Sequence, residues 1–229
     1  MGFEMTGKLA FVLILASVSA YLLGSINFAI IVTKCFRRGD IRDYGSGNAG
    51  MTNVLRTLGK VPAVLTLLGD VLKGIVAVVV GWLLFRYVGG LDAAGASIAC
   101  YISGFFALLG HAYPVYYGFR GGKGILVTSG ILLVLDPVVF AIALGFFILL
   151  VATTRMVSAG SLAAAVSLPF STYILHTAWG RPHPALTTAL ISAFSLLVIV
   201  MHRQNIRRLL TGTEHRFGDK KPGGDDHNG

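Results

Sequence analysis

The chain contains a succession of apolar runs, each close to the length that a helix needs to cross a lipid bilayer. About 20 apolar residues span the ~30 Å hydrocarbon core of a membrane. Only 13% of the residues are charged, compared with about 25% in soluble domains. We therefore predict an all-α, polytopic integral membrane protein with seven transmembrane helices, at 9–33, 61–87, 93–111, 123–135, 137–155, 159–178 and 185–203.

The first and fourth runs differ from the others. The first follows Lys8, as the apolar part of a signal peptide would. It is too long for that role and no small-residue cleavage site follows it, so we predict that it stays as a helix. The fourth, 123–135, is short, since the 12 residues after Lys123 would rise only ~18 Å as a helix. We expect it either to extend into the preceding glycine-rich stretch or to be re-entrant.

The net charge of +9 is a topology signal rather than the mark of a nucleic-acid partner. With seven spans, most of the 19 lysines and arginines fall on one side of the membrane. The positive-inside rule then places the N-terminus outside and the C-terminus in the cytoplasm. We predict one transmembrane domain at 1–211 and a polar, disordered cytoplasmic tail at 212–229, where the composition favours a solvated chain.

Glycine, asparagine, serine and basic residues collect in four segments on the predicted cytoplasmic side, at 44–60, 110–124, 155–161 and 202–214. In the first, Gly45, Gly47 and Gly50 form a literal GxGxxG, but a transmembrane helix rather than a β-strand precedes it, so a dinucleotide fold is excluded. Glycines still allow backbone N–H groups to approach an anion, and Arg56 offers a forked cation. The alternative is a flexible turn with topology-setting arginines.

The second segment resembles a P-loop but lacks its pattern, because Tyr117 and Gly124 occupy the positions of the first glycine and the final Ser or Thr. Lys123 nevertheless lies among glycines, before a run whose helical N-terminus would attract an anion. His111, at the end of a span, is either a structural or a catalytic histidine.

The last segment places His202 and Asn205 three residues apart, on one face of a helix end. A histidine there is a candidate general base, with a structural role as the alternative. Asp70 and Lys73 lie within the second span, where an unpaired charge costs ~2.5–3.5 kcal/mol. Their spacing predicts a mutual ion pair, and a substrate contact is the alternative.

Common signatures of metal and dyad chemistry are missing. There is no HExxH motif, and none of the six histidines is followed by aspartate five residues later. Cys35 and Cys100 form no disulfide framework or zinc spacing. We expect a site without metal or cofactor that recognises phosphate through amides, arginine and lysine.

Three segments, GSGNAGMTNVLR, GHAYPVYYGFRGGKG and HRQNIRRLLTGTE, together resemble the bacterial acyl-phosphate:glycerol-3-phosphate acyltransferases. The similarity extends from YLLGS at 21–25 to GTE at 212–214. The family usually has proline where Asn27 stands, and small or hydroxyl residues where Leu126 and Val127 stand. These differences affect local packing and any hydroxyl contact at 127, and leave the charged positions intact.

The resemblance implies an enzyme of the bacterial cytoplasmic (inner) membrane, with its active site at the cytoplasmic face. It would transfer the acyl group of a long-chain acyl phosphate to the 1-hydroxyl of glycerol 3-phosphate, giving lysophosphatidate and inorganic phosphate, the first step of phospholipid synthesis. By the resemblance, the acceptor would be surrounded by Ser46, Arg56, Lys123, His202 and Asn205. Thr52, Ser161 and the amides of Gly122 to Gly124 would bind the donor phosphate, and further substrate-binding positions are expected at Gly45, Gly47, Asn48, Asn53 and Gly121.

Two questions stay open at the level of sequence. Either His202 or a substrate phosphate oxygen could take the proton of the acceptor hydroxyl. A transporter or channel for phosphorylated anions could use the same positive cluster, but it should also carry charges or broken helices near the membrane midplane. Only Asp70 and Lys73 have such a position.

Overall fold

The computed structural model describes residues 2–216 of the chain, with side chains from residue 6 onward. Within these residues the protein is all-helical and has no strands, which confirms the predicted class. The α-helices are α1 Gly2–Ser25, α2 Phe28–Arg37, α3 Met51–Leu58, α4 Lys60–Leu83, α5 Ala93–Ala112, α6 Ile125–Leu135, α7 Pro137–Thr154, α8 Val157–Ala178, α9 Pro184–Met201 and α10 Arg203–Leu210.

Among residues 2–216, six helical regions are long and apolar enough to cross a membrane, and each overlaps a predicted span. They are Thr6–Arg37, Lys60–Val88, Ala93–Tyr117, Pro137–Thr154, Val157–Ala178 and Pro184–Met201. The remaining predicted span, 123–135, forms helix α6, which has 11 residues. A helix of that length rises only ~16 Å. Helix α6 is therefore shorter than each of the six other regions.

Close contacts between helix backbones hold this bundle together. A Cβ atom placed on Gly130 of α6 would collide with the backbone of Val71 in α4, and one on Gly24 of α1 would collide with the backbone of Ala107 in α5. Small residues at such contacts allow van der Waals packing where lipid removes the hydrophobic driving force. Short α6 is therefore held tightly against α4.

Helices α1 and α2 form one apolar region with a break at residues 26–27. Asn27 caps α2, because its side-chain oxygen accepts a hydrogen bond from the Ile30 amide at 3.1 Å. Its Nδ2 group lies 3.5 Å from the Ala49 carbonyl oxygen, to which it donates. At the position where proline was expected, the asparagine thus makes the break through an N-cap.

A buried polar cluster lies at the end of the bundle where α6 meets α7. Asp136 Oδ2 is 2.5 Å from His176 Nε2, and His176 Nδ1 is 3.0 Å from the Thr187 hydroxyl. Tyr101 donates a hydrogen bond of 3.5 Å to the same carboxylate. The cluster connects α5, α8 and α9 with the junction between α6 and α7. This junction lies one α6 length, ~16 Å, from the start of α6.

Most of the predicted tail cannot be compared with the structure. The stretch 217–229 lies outside the described residues, so its predicted disorder stays a prediction. Within 212–216, Glu214 is only 8% exposed and hydrogen-bonds to Asn205 and Arg208. The chain therefore remains packed against the bundle for at least a few residues beyond the predicted domain boundary.

Candidate active site

A cavity of about 140 Å³ opens where the predicted polar segments meet. The segments reach it from the α2–α3 connection, the loop before α6, the start of α8 and the break between α9 and α10. Ten of the predicted site residues line it, namely Ser46, Asn48, Thr52, Asn53, Arg56, Lys123, Gly124, Ser161, His202 and Asn205. Gly45, Gly47, Gly121 and Gly122 lie in the same loops and are not part of the lining.

Lys123 provides a partly buried cation in the cavity wall. Its Nζ donates a hydrogen bond of 2.5 Å to Asn205 Oδ1. Burial lowers the pKa of Lys123 to about 8; Arg208 and Arg56 also lower it, while Glu214 raises it. Lys123 is therefore still protonated at neutral pH, and the weakly hydrated ammonium is available to an incoming anion.

Glu214 and Arg208 fix the orientation of Asn205. The Asn205 Nδ2 group donates to Glu214 Oε1 at 2.8 Å, and Arg208 Nε donates to Glu214 Oε2 at 2.8 Å. Burial raises the pKa of Glu214, but the hydrogen bonds from Arg208 and Asn205 outweigh it and leave the pKa below its ordinary value. With Nδ2 held by the carboxylate, the Asn205 oxygen faces Lys123. Sequence reasoning did not single out Glu214, although it lies within the third motif.

His202 lies between α9 and α10 with a defined ring orientation. Its Nδ1 is 2.8 Å from the Val198 carbonyl oxygen. Because a carbonyl only accepts, Nδ1 carries the proton and Nε2 keeps a lone pair in the neutral ring. Burial lowers the pKa of His202 to about 4, Val198 opposes this shift, and Lys123 adds to it. His202 is neutral at physiological pH and can accept a hydrogen bond or a proton at Nε2.

Asn53 uses its amide to shape the first loop. Its Nδ2 group donates to the carbonyl oxygens of Tyr44 at 2.9 Å and of Ile41 and Asn48 at 3.1 Å, and its oxygen accepts from the Ser46 amide at 2.9 Å. Gly45 has a φ of 58°, and a Cβ there would collide with the Asn53 side chain. These contacts are structural, and the predicted substrate contacts of Gly45, Gly47 and Asn53 stay predictions.

The glycine-rich loop before α6 contributes fewer free amides than expected. The Gly121 amide donates to the Ala112 carbonyl and the Gly122 amide to the His111 carbonyl, both at 3.1 Å. The Gly122 amide, predicted to bind phosphate, is therefore already paired within the chain. Gly124, with a φ of 85°, precedes α6, and no side chain caps this helix. The unpaired N–H groups of its first turn are the remaining donors for an anion.

The predicted ion pair within α4 is confirmed and has a third member. Lys73 Nζ lies 2.9 Å from Asp70 Oδ1 and donates to the Ile26 carbonyl oxygen at 2.7 Å. It also lies 2.9 Å from His111 Nδ1. Asp70 and His111 both line the cavity, so this buried cluster adjoins the candidate site. Sequence reasoning paired Asp70 with Lys73 but treated His111 separately.

A second, apolar cavity of about 240 Å³ adjoins the polar one and extends between α6, α7 and α8. The two cavities share four residues, Met51, Ile125, Leu126 and Phe147. The apolar cavity continues past residues such as Leu132, Phe140 and Leu168. A ligand with a charged head and a hydrocarbon chain would fit across both spaces. Among the described residues, no group of three or more His, Cys, Asp or Glu could hold a metal ion.

Comparisons with known proteins agree with this arrangement. The family model described as glycerol-3-phosphate acyltransferase matches residues 14–212. The glycerol-3-phosphate acyltransferase of Halalkalibacterium halodurans is 44% identical over 204 residues, covering 89% of this chain and 95% of that protein. The protein of the same name from Clostridioides difficile is 44% identical over 208 residues, covering 91% and 97%.

The fold also matches solved structures of PlsY, an integral membrane glycerol 3-phosphate acyltransferase. Its glycerol 3-phosphate form has a TM-score of 0.75 and 34% identity, covering 90% of this chain and 96% of that chain. Its lysophosphatidic acid form has a TM-score of 0.73 and the same 34% identity, covering 90% and 95%. The family match at 14–212 includes every residue that lines the polar cavity except Glu214.

Proposed function

The chain belongs to the glycerol-3-phosphate acyltransferase family, and we propose that its acyl donor is a long-chain acyl phosphate. The protein is an acyltransferase of phospholipid synthesis that produces lysophosphatidate from glycerol 3-phosphate. The observation that carries the donor assignment is the junction between a polar cavity with Arg56 and Lys123 and an apolar cavity between α6, α7 and α8. An acyl phosphate has a charged head and a hydrocarbon chain that correspond to these two spaces.

The reaction requires little beyond binding and orientation, because an acyl phosphate is already activated. The 1-hydroxyl oxygen of glycerol 3-phosphate attacks the carbonyl carbon, the bond from that carbon to the phosphate oxygen breaks, and inorganic phosphate leaves. Two anionic reactants must be held together against their mutual repulsion. Arg56 and Lys123 reduce that repulsion, and orientation of two bound reactants can supply ~7–11 kcal/mol of the barrier.

We assign the residues of the polar cavity to two substrate phosphates. The acceptor contacts Ser46, Arg56, Lys123, His202 and Asn205, which line the cavity together. The donor phosphate contacts Thr52, Ser161 and the first turn of α6 after Gly124, because this part of the wall adjoins the apolar cavity. In this arrangement, no metal or organic cofactor is needed to bind either substrate.

Two groups can accept the hydroxyl proton in this arrangement. His202 Nε2 carries a lone pair, because Nδ1 donates to Val198. A phosphate oxygen of either substrate is the other acceptor, in which case His202 positions the acceptor through a hydrogen bond. A low pKa for His202 makes it a weak base, which favours the phosphate as the proton acceptor and His202 as a positioning group.

We further propose that α6 completes seven spans, with the N-terminus outside, the C-terminus in the cytoplasm and the site at the cytoplasmic face of the inner membrane. Basic residues concentrate around the polar cavity, as the positive-inside rule requires of a cytoplasmic face. A soluble acceptor such as glycerol 3-phosphate could then enter from the cytoplasm.

The test is an assay of purified protein in lipid with palmitoyl phosphate, palmitoyl-CoA and palmitoyl acyl carrier protein offered separately. We expect lysophosphatidate and stoichiometric phosphate release from palmitoyl phosphate only when glycerol 3-phosphate is present. Turnover with a thioester donor instead would refute the donor assignment. Uptake of labelled glycerol 3-phosphate into vesicles without a lipid product would point to transport.

A further inference from the structure

The buried cluster of Asp70, Lys73 and His111 lies beside the catalytic cavity without a role in the reaction described above. Asp70 is 1% exposed, Lys73 4% and His111 3%. All three belong to membrane-spanning helices, where an ionisable group is costly and is usually associated with function. The ion pair of Asp70 with Lys73 already balances the two buried charges. The presence of His111 beside them therefore needs a separate explanation.

The contacts of Lys73 determine which nitrogen of His111 carries a proton. A lysine ammonium has three donors and no acceptor. Its three contacts are Asp70 Oδ1 at 2.9 Å, the Ile26 carbonyl at 2.7 Å and His111 Nδ1 at 2.9 Å. His111 Nδ1 must therefore accept, and the neutral ring carries its proton on Nε2.

His111 Nε2 faces the glycine-rich loop and the cavity. His111 lines that cavity, and a Cβ placed on Gly122 would collide with Nε2 and lie 2.5 Å from the Ala49 carbonyl oxygen. The close approach of the ring to the loop thus requires glycine at 122. Within the described part of the chain, Nε2 has no hydrogen-bond partner, so its N–H group is available to a ligand.

The geometry points to His111 as a substrate-binding residue that donates a hydrogen bond from Nε2 to the phosphate of the acyl donor. Asp70 and Lys73 act as positioning residues that hold the donor tautomer. This inference rests on the proposed acyl phosphate donor. Negative charge grows on the departing phosphate as the acyl–phosphate bond breaks, so the hydrogen bond strengthens in the transition state. The acceptor, held by Arg56 and Lys123, gains nothing from it directly.

The first experiment compares His111→Asn with His111→Gln. The asparagine oxygen can replace Nδ1 as the acceptor for Lys73 but leaves no donor near Nε2. The glutamine amide can replace the Nε2 donor. A hydrogen bond to a charged group corresponds to about a tenfold to hundredfold effect. We expect His111→Asn to lower kcat/KM for palmitoyl phosphate by that factor with KM for glycerol 3-phosphate unchanged, and His111→Gln to recover part of the loss.

His176→Asn is the matched control, because His176 is also a buried histidine paired with aspartate but lies in the cluster at the far end of α6. It should lower thermal stability and leave both substrates' kinetic constants unchanged in the folded fraction. Unaltered kinetics in His111→Asn would overturn the inference. Equal losses for both substrates, accompanied by lower stability, would assign His111 a structural role only.

The second experiment starts from wild-type protein, so its first measurement depends neither on activity nor on a variant folding. Nitrogen-15 NMR of wild-type protein with labelled histidine rings should show one buried, neutral ring with an unprotonated Nδ1 accepting from lysine. In Asp70→Asn/Lys73→Met this tautomer preference should disappear, and kcat/KM for the donor should fall. A protonated Nδ1 on His111 would refute the inference. Absence of any transfer from palmitoyl phosphate by wild-type protein would instead refute the proposed donor, while the tautomer could still be measured.

Discussion

Lys123 and His202 line the same cavity, and burial acts on both side chains with different consequences for their charge. Burial lowers the pKa of Lys123 to about 8, so the ammonium persists at neutral pH. Burial lowers the pKa of His202 to about 4, so the imidazole is neutral there. One residue thus supplies positive charge and the other a lone pair over the pH range in which the enzyme would work.

We predict that Lys123→Ala lowers kcat/KM by at least about a hundredfold, because a buried charged hydrogen bond to a substrate phosphate is lost. Lys60→Ala is the control: Lys60 is exposed on the same side of the protein and does not line the cavity. Steady-state phosphate release is the measurement. Similar rates of phosphate release in both variants would show that Lys123 does not contribute to the site.

The pH dependence of kcat/KM tests the charge of Lys123 directly. Below pH 8 the side chain is protonated and binds anions, and above pH 8 it loses its charge, so kcat/KM should fall with an apparent pKa of about 8. Lys123→Arg should be slower but should not lose activity in this range, because arginine stays charged. An alkaline limb that persists unchanged in Lys123→Arg would assign the titration to another group.

The acidic side of the same profile tests His202. If the His202 ring takes the proton, kcat/KM should decline towards acid only near the low pKa of about 4, and His202→Asn should abolish that limb together with most of the activity. If a phosphate oxygen takes the proton, His202→Asn should keep the parent's profile and raise KM for glycerol 3-phosphate. The two outcomes distinguish a general base from a positioning residue.

Helix α6 is the element on which the site depends most, since its N-terminus follows Lys123 and Gly124. Its attachment to α4 rests on the close approach of Gly130 to Val71. Gly130→Ala should therefore lower the thermal unfolding temperature and activity together, because a methyl group forces the backbones apart. Gly145→Ala on α7 is the control, as a Cβ there meets nothing within 4 Å. Equal stability of both variants, measured by thermal unfolding in detergent, would contradict tight α4–α6 packing.

The lengths of the apolar runs and the spacing within motifs predicted most of the helices, but not which side chains from different helices contact one another. The short run at 123–135 was identifiable from its ~18 Å reach, and i, i+3 spacing correctly paired Asp70 with Lys73. The contact of His111 with that pair could not be predicted, because it arises from the packing of α4 against α5 and joins residues 38 positions apart. Glu214 was missed because a lone acid after a basic helix resembles a solvated tail until its hydrogen bond to Asn205 is seen.

The sequence also could not show which glycine amides are free to bind an anion. The GGKG pattern predicted several donors for phosphate, but the Gly121 and Gly122 amides are paired with the carbonyls of Ala112 and His111. Whether a glycine N–H points into a cavity or back to its own chain depends on the path of the loop, which a local pattern does not determine. Glycine content therefore predicted which loops reach the polar cavity better than which of their amides are free to bind an anion.

At the scale of the whole molecule, the proposed function requires that all cavity-forming segments face one side of the membrane. In a Cys35→Ala background, single cysteines at Lys60, Arg120 and Thr211 should react with an impermeant thiol reagent only from the cytoplasmic side. Cysteines at Arg86 and Arg181 should react only from outside. Inverted and right-side-out membrane vesicles allow the two sides to be compared, and Cys100, which is buried, should stay unreactive in both.

The topology also determines whether the polar cavity can form. Lys123 precedes α6 and Asn205 follows the last span, yet their side chains are hydrogen-bonded. An even number of crossings between 120 and 211 is needed to bring both to one face, which requires α6 to count as a span alongside α7, α8 and α9. Labelling of positions 120 and 211 from opposite sides would show that α6 does not cross. The hydrogen bond and the two-substrate cavity would then be impossible in the membrane.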